Sequence, residues 1–282
     1  MPPADPPPTA TTEQPAPADR PVHPEKSSPP ANPARPHPVR ELLLIAVLYT
    51  VYRLGRVAAE GHVPRAFRNA TDVWNLERTL HLPGEADIQD LLLHSDLLVH
   101  AANAFYATVH FPATVLFLLW TYWRRPGHYV WIRRVLTVLT GAGLALHLLL
   151  PLAPPRMLEA TGLVDTARVY GPAVYGDPAT DSLSNQFAAM PSLHVGWALT
   201  VAVGLIAATR SRWRWLWLLH PAVTYLVVVG TANHYWLDGI VAIALTGAAL
   251  LLLRPPASAA PPPPLPGQRG PAAPARAATA AS

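Results

Sequence analysis

Two histidines and an aspartate stand at spacings suited to proton transfer and nucleophilic attack at phosphorus. In Asn233-His234-Tyr235-Trp236-Leu237-Asp238, His234 and Asp238 are four residues apart, and on a helix they would share one face. A histidine attacks phosphorus only through a neutral, oriented nitrogen. A carboxylate bonded to the other ring nitrogen supplies that orientation and stabilises the charged ring as it forms. Some forty residues earlier, Met190-Pro191-Ser192-Leu193-His194 opens an apolar run. Proline sets φ for a helix start, Ser192 suits the cap, and the free N–H groups with the positive dipole end favour an anion. His194 in that turn could protonate a leaving oxygen. Arg156 in Pro154-Pro155-Arg156, with the amides around Ser192, could hold the non-bridging oxygens. A phosphohistidine would then be broken by water, making a phosphatase, or by an alcohol, making a phosphotransferase. The residues leave both open.

Each residue also has a plainer role. A histidine at a helix end can be a structural hydrogen-bonder, a His-x-x-x-Asp pair a local ion pair, and Arg156 a headgroup-level anchor. A zinc site from His194, His234 and Asp238 lacks an evident fourth ligand, so no metal and no cofactor is expected. The chain has no cysteine, which excludes disulfides and thiol nucleophiles.

The elements that must position these residues read as membrane spans. Of 282 residues, 51% are hydrophobic and 13% charged, and the mean hydropathy is +0.20. That is too apolar for an ordinary soluble domain of this length. The net charge of +4 comes from arginines beside apolar runs, which suits anionic headgroups; no nucleic-acid module is present. Apolar stretches predict six spans, at about 41–59, 97–123, 130–150, 191–208, 215–231 and 236–253. Between the first two, Val73, Leu76 and Leu80 oppose Asp72, Glu77 and Arg78, as in an interfacial amphipathic helix. The second span carries Asn103, Tyr106 and His110 as one polar stripe, which either bonds neighbouring helices or lines a headgroup cleft.

Six spans bring the loop after the third, the start of the fourth and the turn before the sixth to one membrane face. Arg124, Arg125, Arg133, Arg134, Arg210, Arg212 and Arg214 flank the loops of the other face, which the positive-inside rule makes cytoplasmic. The site then faces outward at the cell membrane, with Arg53, Arg56, Arg65, Arg68 and Arg78 on its side. Residues 1–40 hold 14 of the 34 prolines and the segment from Pro255 holds 9, so 1–40 and 255–282 read as disordered tails around a 41–254 membrane domain. The proline-rich start lacks the basic and apolar regions of a cleavable signal.

Pro191-Ser192-Leu193-His194 followed by His234-x-x-x-Asp238 resembles the second and third motifs of the type-2 phosphatidic acid phosphatase superfamily, over about 97–253. The resemblance implies an all-α, six-helix transmembrane bundle, with His234 as nucleophile, Asp238 orienting it and His194 as proton donor. Arg156, Ser192, Tyr106 and His110 would contact a lipid phosphate substrate. The chain departs from the hydrolase pattern at Leu193, where those members carry glycine, and at Val227 and Val228, where they carry Ser-Arg. Leu149 stands where the first motif has lysine, and Met157 where it has proline. Pro-Pro-Arg, Pro-Ser-Leu-His and His-Tyr-x-x-Asp look closer to the branch that includes inositol phosphorylceramide synthase, which transfers phosphorylated headgroups between lipids. A phosphatidate or isoprenoid-diphosphate phosphatase is the alternative. A non-catalytic headgroup-binding relative is a third reading, motivated by Val228. A transporter is disfavoured, because transport sites lie near the midplane. Donor, acceptor and oligomeric state stay open.

Overall fold

The structure is a computed structural model, and it describes residues 35–59, 63–172 and 186–256. The expected tails, apart from the stretches next to the body, and residues 173–185 of the loop after the third span lie outside the described residues. Among the described residues the chain is helical, with a single isolated bridge between Leu152 and Ala188.

The helices are α1 Pro38–Ala59, α2 Val63–Thr79, α3 Glu85–Leu93, α4 Asp96–Thr108, α5 His110–Arg124, α6 Pro126–Leu149, α7 Thr166–Tyr170, α8 Leu193–Ala208, α9 Leu219–Gly230 and α10 Trp236–Leu252. The first begins at Pro38, inside the expected tail, because proline suits a helix start. It is tied down there: Tyr122 Oη donates to Pro36 O (3.0 Å), and Tyr129 Oη to Glu41 Oε2 (2.6 Å).

At the centre stands α8, packed on α5, α6, α9 and α10. Its sequence is apolar on every side, as a helix surrounded by others must be. A separate layer caps the end where α8 begins. There α2 and the segment after α6 are stitched together: Asn69 Nδ2 donates to Pro151 O (2.7 Å) and Ala153 N to Ala66 O (3.2 Å). Leu152 N donates to Phe187 O (2.8 Å), joining that segment to the approach to α8. Ala66, Ala70, Leu152, Ala153, Ala189 and Tyr235 form the apolar core of this cap.

The structure differs from four expectations. Among the described residues one helix, α6, is long and apolar enough to cross a bilayer, and α4 with α5 makes a second only if the bent pair counts as one. With 16 residues α8 is about 24 Å long, short of the roughly 30 Å hydrocarbon core. The stretch expected to span 97–123 bends by 45° between α4 and α5. Pro112 is the cause, since it has no N–H for the Thr108 carbonyl and its ring crowds that oxygen. The fifth span does not start as an α-helix: 212–218 is a 3₁₀ turn whose tryptophans are exposed, and α9 has only 12 residues. On α2 the inner face is Ala66, Ala70, Val73 and Glu77, while Leu76 (48% exposed) and Leu80 (53%) point outward. The cap layer offers α2 a polar partner, so a carboxyl rather than a leucine occupies the inner face.

Candidate active site

The turn between α9 and α10 carries the first histidine. Asn233 N (3.0 Å) and His234 N (3.1 Å) both donate to Val228 O, and Ala232 takes a left-handed φ of 54° to let the chain reverse. That conformation costs a non-glycine residue about 1 kcal/mol. Arg156 N, donating to Ala232 O at 3.0 Å, holds it in place.

His234 is buried, with Nδ1 at 2.8 Å from Ala189 O and 3.2 Å from Asp238 Oδ2. Both neighbours accept at those positions, so Nδ1 carries the proton and Nε2 keeps its lone pair. Asp238 Oδ2 also accepts the Tyr235 N–H (2.9 Å), which satisfies one donor at the start of α10. The Asp238 backbone carbonyl accepts from Ser192 N (3.0 Å). One residue therefore joins the His234 turn to the start of α8.

Ser192 is buried and caps α8, its Oγ facing Val195 N at 3.5 Å, while His147 Nε2 lies 3.2 Å from Pro191 O. His194 follows in the first turn, its ring centroid 6.1 Å from that of His234. On its other side His194 stacks with Tyr106 (4.6 Å) and lies 4.3 Å from His110, which in turn lies 5.3 Å from Trp197. The polar stripe of α4 and α5 is thus divided. Asn103 bonds structurally, donating to Thr166 O (2.9 Å) and accepting from Thr166 Oγ1 (2.8 Å). Tyr106 and His110 pack against a histidine of the second motif.

Arg156 is brought beside the first histidine: its Nη1 donates to Asn233 Oδ1 (2.7 Å), and its Nε lies 3.5 Å from Asp165 Oδ2. Leu193 is accommodated by a glycine on the facing helix. A Cβ on Gly143 would lie 2.7 Å from Leu193 Cδ2, so the bulk at 193 uses space left at 143. Gly239, next to Asp238, allows a similar approach, since a Cβ there would meet the Tyr225 ring at 2.2 Å. No three histidine, aspartate or glutamate side chains converge as a metal site among the described residues.

Sequence reasoning missed Asn233, Asp165, the Ala189 carbonyl and Glu77. Glu77 was legible as the fourth member of the small-residue face Ala66, Ala70, Val73. The Ala189 carbonyl had no side-chain signal to read.

A buried histidine–aspartate pair beside a second histidine at a helix start is an arrangement suited to phosphoryl chemistry in a helical protein. A family model of the PAP2 superfamily matches residues 71–252, more than half of the chain, and the chain belongs to that superfamily. No curated protein and no solved structure matches it. The match begins within α2, taking in Val73 and Glu77 but not Ala66, Asn69 or Ala70. Membership points to a phosphatase-type enzyme acting on lipid phosphates, in a superfamily whose members are typically membrane proteins.

Proposed function

We propose that the chain is an integral membrane lipid phosphotransferase or phosphatase working through a phosphohistidine on His234, most akin to the inositolphosphotransferase-like branch. The observation that carries the reading is the hydrogen-bonding of His234: two acceptors at Nδ1 leave Nε2 as the nucleophile. Nε2 attacks phosphorus, the bond to the leaving oxygen breaks, and His194 gives that oxygen its proton. Water or a lipid alcohol then attacks the phosphohistidine, His194 takes the attacking proton, and His234 is released. Asp238 stabilises the imidazolium in between. Arg156, fixed by Asn233 and Asp165, and the Leu193 and His194 amides at the start of α8 hold the non-bridging oxygens, the Ser192 and Val195 amides being bonded within the protein. Tyr106 and His110 position His194 and border the headgroup.

A bilayer setting is supported by apolar side chains that point outward along several helices, among them Leu42, Leu43 and Ile45 on α1, Leu116 on α5 and Leu251 on α10. In this reading six segments cross the membrane, the short ones assisted by flanking turns, and the site faces outward. Val228 and Leu149, in place of the arginine and lysine of the hydrolase pattern, reduce its cationic phosphate clamp, and with Leu193 in place of its glycine they set the chain apart from the general hydrolases.

The test is reconstitution of wild type, His234→Ala and His194→Ala in liposomes containing phosphatidylinositol, phosphatidic acid and an isoprenoid diphosphate, with and without diacylglycerol or inositol. Wild type is expected to form a new phospholipid, and both variants to lose turnover by at least about 10³-fold while keeping their fold. Histidine-dependent phosphate release without a new lipid would identify a hydrolase. Full turnover by both variants would overturn the mechanism.

A further inference from the structure

Next to Asp238 lies a buried group of charges that the mechanism above does not use. Glu77 of α2 and Glu85 of α3 are both fully buried, and their carboxyl groups are hydrogen-bond neighbours. Glu77 Oε1 accepts the Leu237 N–H at 2.7 Å. Leu237 sits between Tyr235, whose amide Asp238 holds, and Asp238 itself. Buried amides at a helix start need acceptors, and α10 finds its second one on α2.

The remaining oxygens decide the protonation. Glu77 Oε2 and Glu85 Oε1 are each buried without a hydrogen-bond donor among the described residues. One proton between the two carboxyls satisfies both, and two bare carboxylates would leave both unsatisfied. Arg78 balances the single charge that remains, with Nη2 at 3.1 Å from Glu85 Oε2 and 3.8 Å from Glu77 Oε2. The pair and Arg78 together are then neutral, and the Asp238 carboxylate has no net negative neighbour behind it.

We propose that Glu77, sharing one proton with Glu85, is a positioning residue for catalysis: it fixes the first turn of α10 through Leu237 N–H and so sets where Asp238 holds His234. The proposal rests on the functional reading above and extends it to α2 and α3. Burial, followed by the neighbouring Glu85, raises the Glu77 carboxyl from the ordinary range to about 9, in keeping with a retained proton. The groups that face Glu77 are Arg78 on α2, Glu85 on α3, Tyr225 on α9, and Tyr235 and Asp238 at the start of α10.

Glutamine reproduces the protonated acid, accepting from Leu237 N–H and donating to Glu85. Glu77→Gln is therefore expected to keep kcat at pH 7 within about threefold, while Glu77→Ala loses about 10- to 100-fold in kcat with KM little changed. Above pH 9 wild type loses the shared proton and gains a charge beside Asp238, so its kcat falls; Glu77→Gln, which cannot titrate, is expected to lack that loss. Thermal unfolding gives a readout that needs no turnover. Between the ordinary carboxylate range and about pH 9 the folded chain holds a proton that the unfolded chain releases, so wild-type stability falls as pH rises and Glu77→Gln flattens the slope. If Glu77→Gln is as inactive as Glu77→Ala, or wild type and Glu77→Gln share the same alkaline limb and the same stability slope, the proposal is overturned. If His234→Ala keeps full turnover while Glu77→Gln flattens the stability slope, the shared proton stands and the functional reading is what fails.

Discussion

Asp238 does three jobs with one side chain and one carbonyl. It meets His234 Nδ1, caps the Tyr235 amide and, through its backbone, receives Ser192 N. Asp238→Asn keeps the volume and the backbone bond but brings an amide where two donors need an acceptor. If the amide turns its nitrogen toward His234, the ring takes the wrong tautomer and Nε2 loses its lone pair. Turnover is expected to fall by about 10²- to 10⁴-fold with the fold retained, as measured by single-turnover phosphoryl transfer beside far-UV circular dichroism. A fully active variant would remove Asp238 from the mechanism. At this scale the pairing was legible in the sequence but its geometry was not: His234 lies in the turn before α10 rather than on its face, and Asp238 in the first turn of that helix reaches back to it. The 2.8 Å contact from His234 to Ala189 O was not legible either, since a carbonyl has no residue type and its place depends on the loop before α8. The contact of Arg156 with Asn233 was hidden for a related reason: the two are 77 residues apart.

Gly143 and Leu193 show how the elements set the site. Replacing Gly143 by alanine brings two opposing effects. In a helix interior the alanine gains about 1 kcal/mol in propensity, and against Leu193 Cδ2 at 2.7 Å it loses about as much by overpacking, since a terminal methyl can move. Gly143→Ala should therefore change stability little while shifting the start of α8 and lowering kcat. In a Leu193→Ala background the clash is gone, and the same change should stabilise by about 1 kcal/mol. Thermal unfolding in detergent of the four variants of this cycle measures the coupling, and strict additivity would show that the two residues do not compete for the space. The helices themselves were largely legible as apolar runs. Their interruptions were partly so: Pro112 is visible, yet composition does not separate a bend from a tolerated proline in a span. The inner face of α2 was misread because two exposed leucines carried more weight than one glutamate, and only the cap layer gives that glutamate partners.

For the whole molecule, helix direction puts the start of α8 and the turn before α10 at one end, and the arginine-rich 210–214 segment at the other. The absence of native cysteine makes this testable without altering the core. Ala160 and Ser211 are both exposed, at the site end and the opposite end. In intact cells a membrane-impermeant maleimide is expected to label Ala160→Cys and to reach Ser211→Cys only after permeabilisation. The reverse pattern would turn the site inward, and labelling of both from outside would contradict a spanning body.

The bond from Leu237 N to Glu77 Oε1 crosses 160 positions of the chain. A ribosome adding about 5–20 residues per second takes roughly 8–32 s to cover them. Through that interval α2 already exists, and the helix it will hold does not. In the proposed mechanism a chain released before His234 has neither the nucleophile nor the Leu237 partner of Glu77, so an interrupted synthesis leaves no half-competent enzyme. On the proposed reading catalysis becomes available only when α10 arrives and its Leu237 amide meets Glu77.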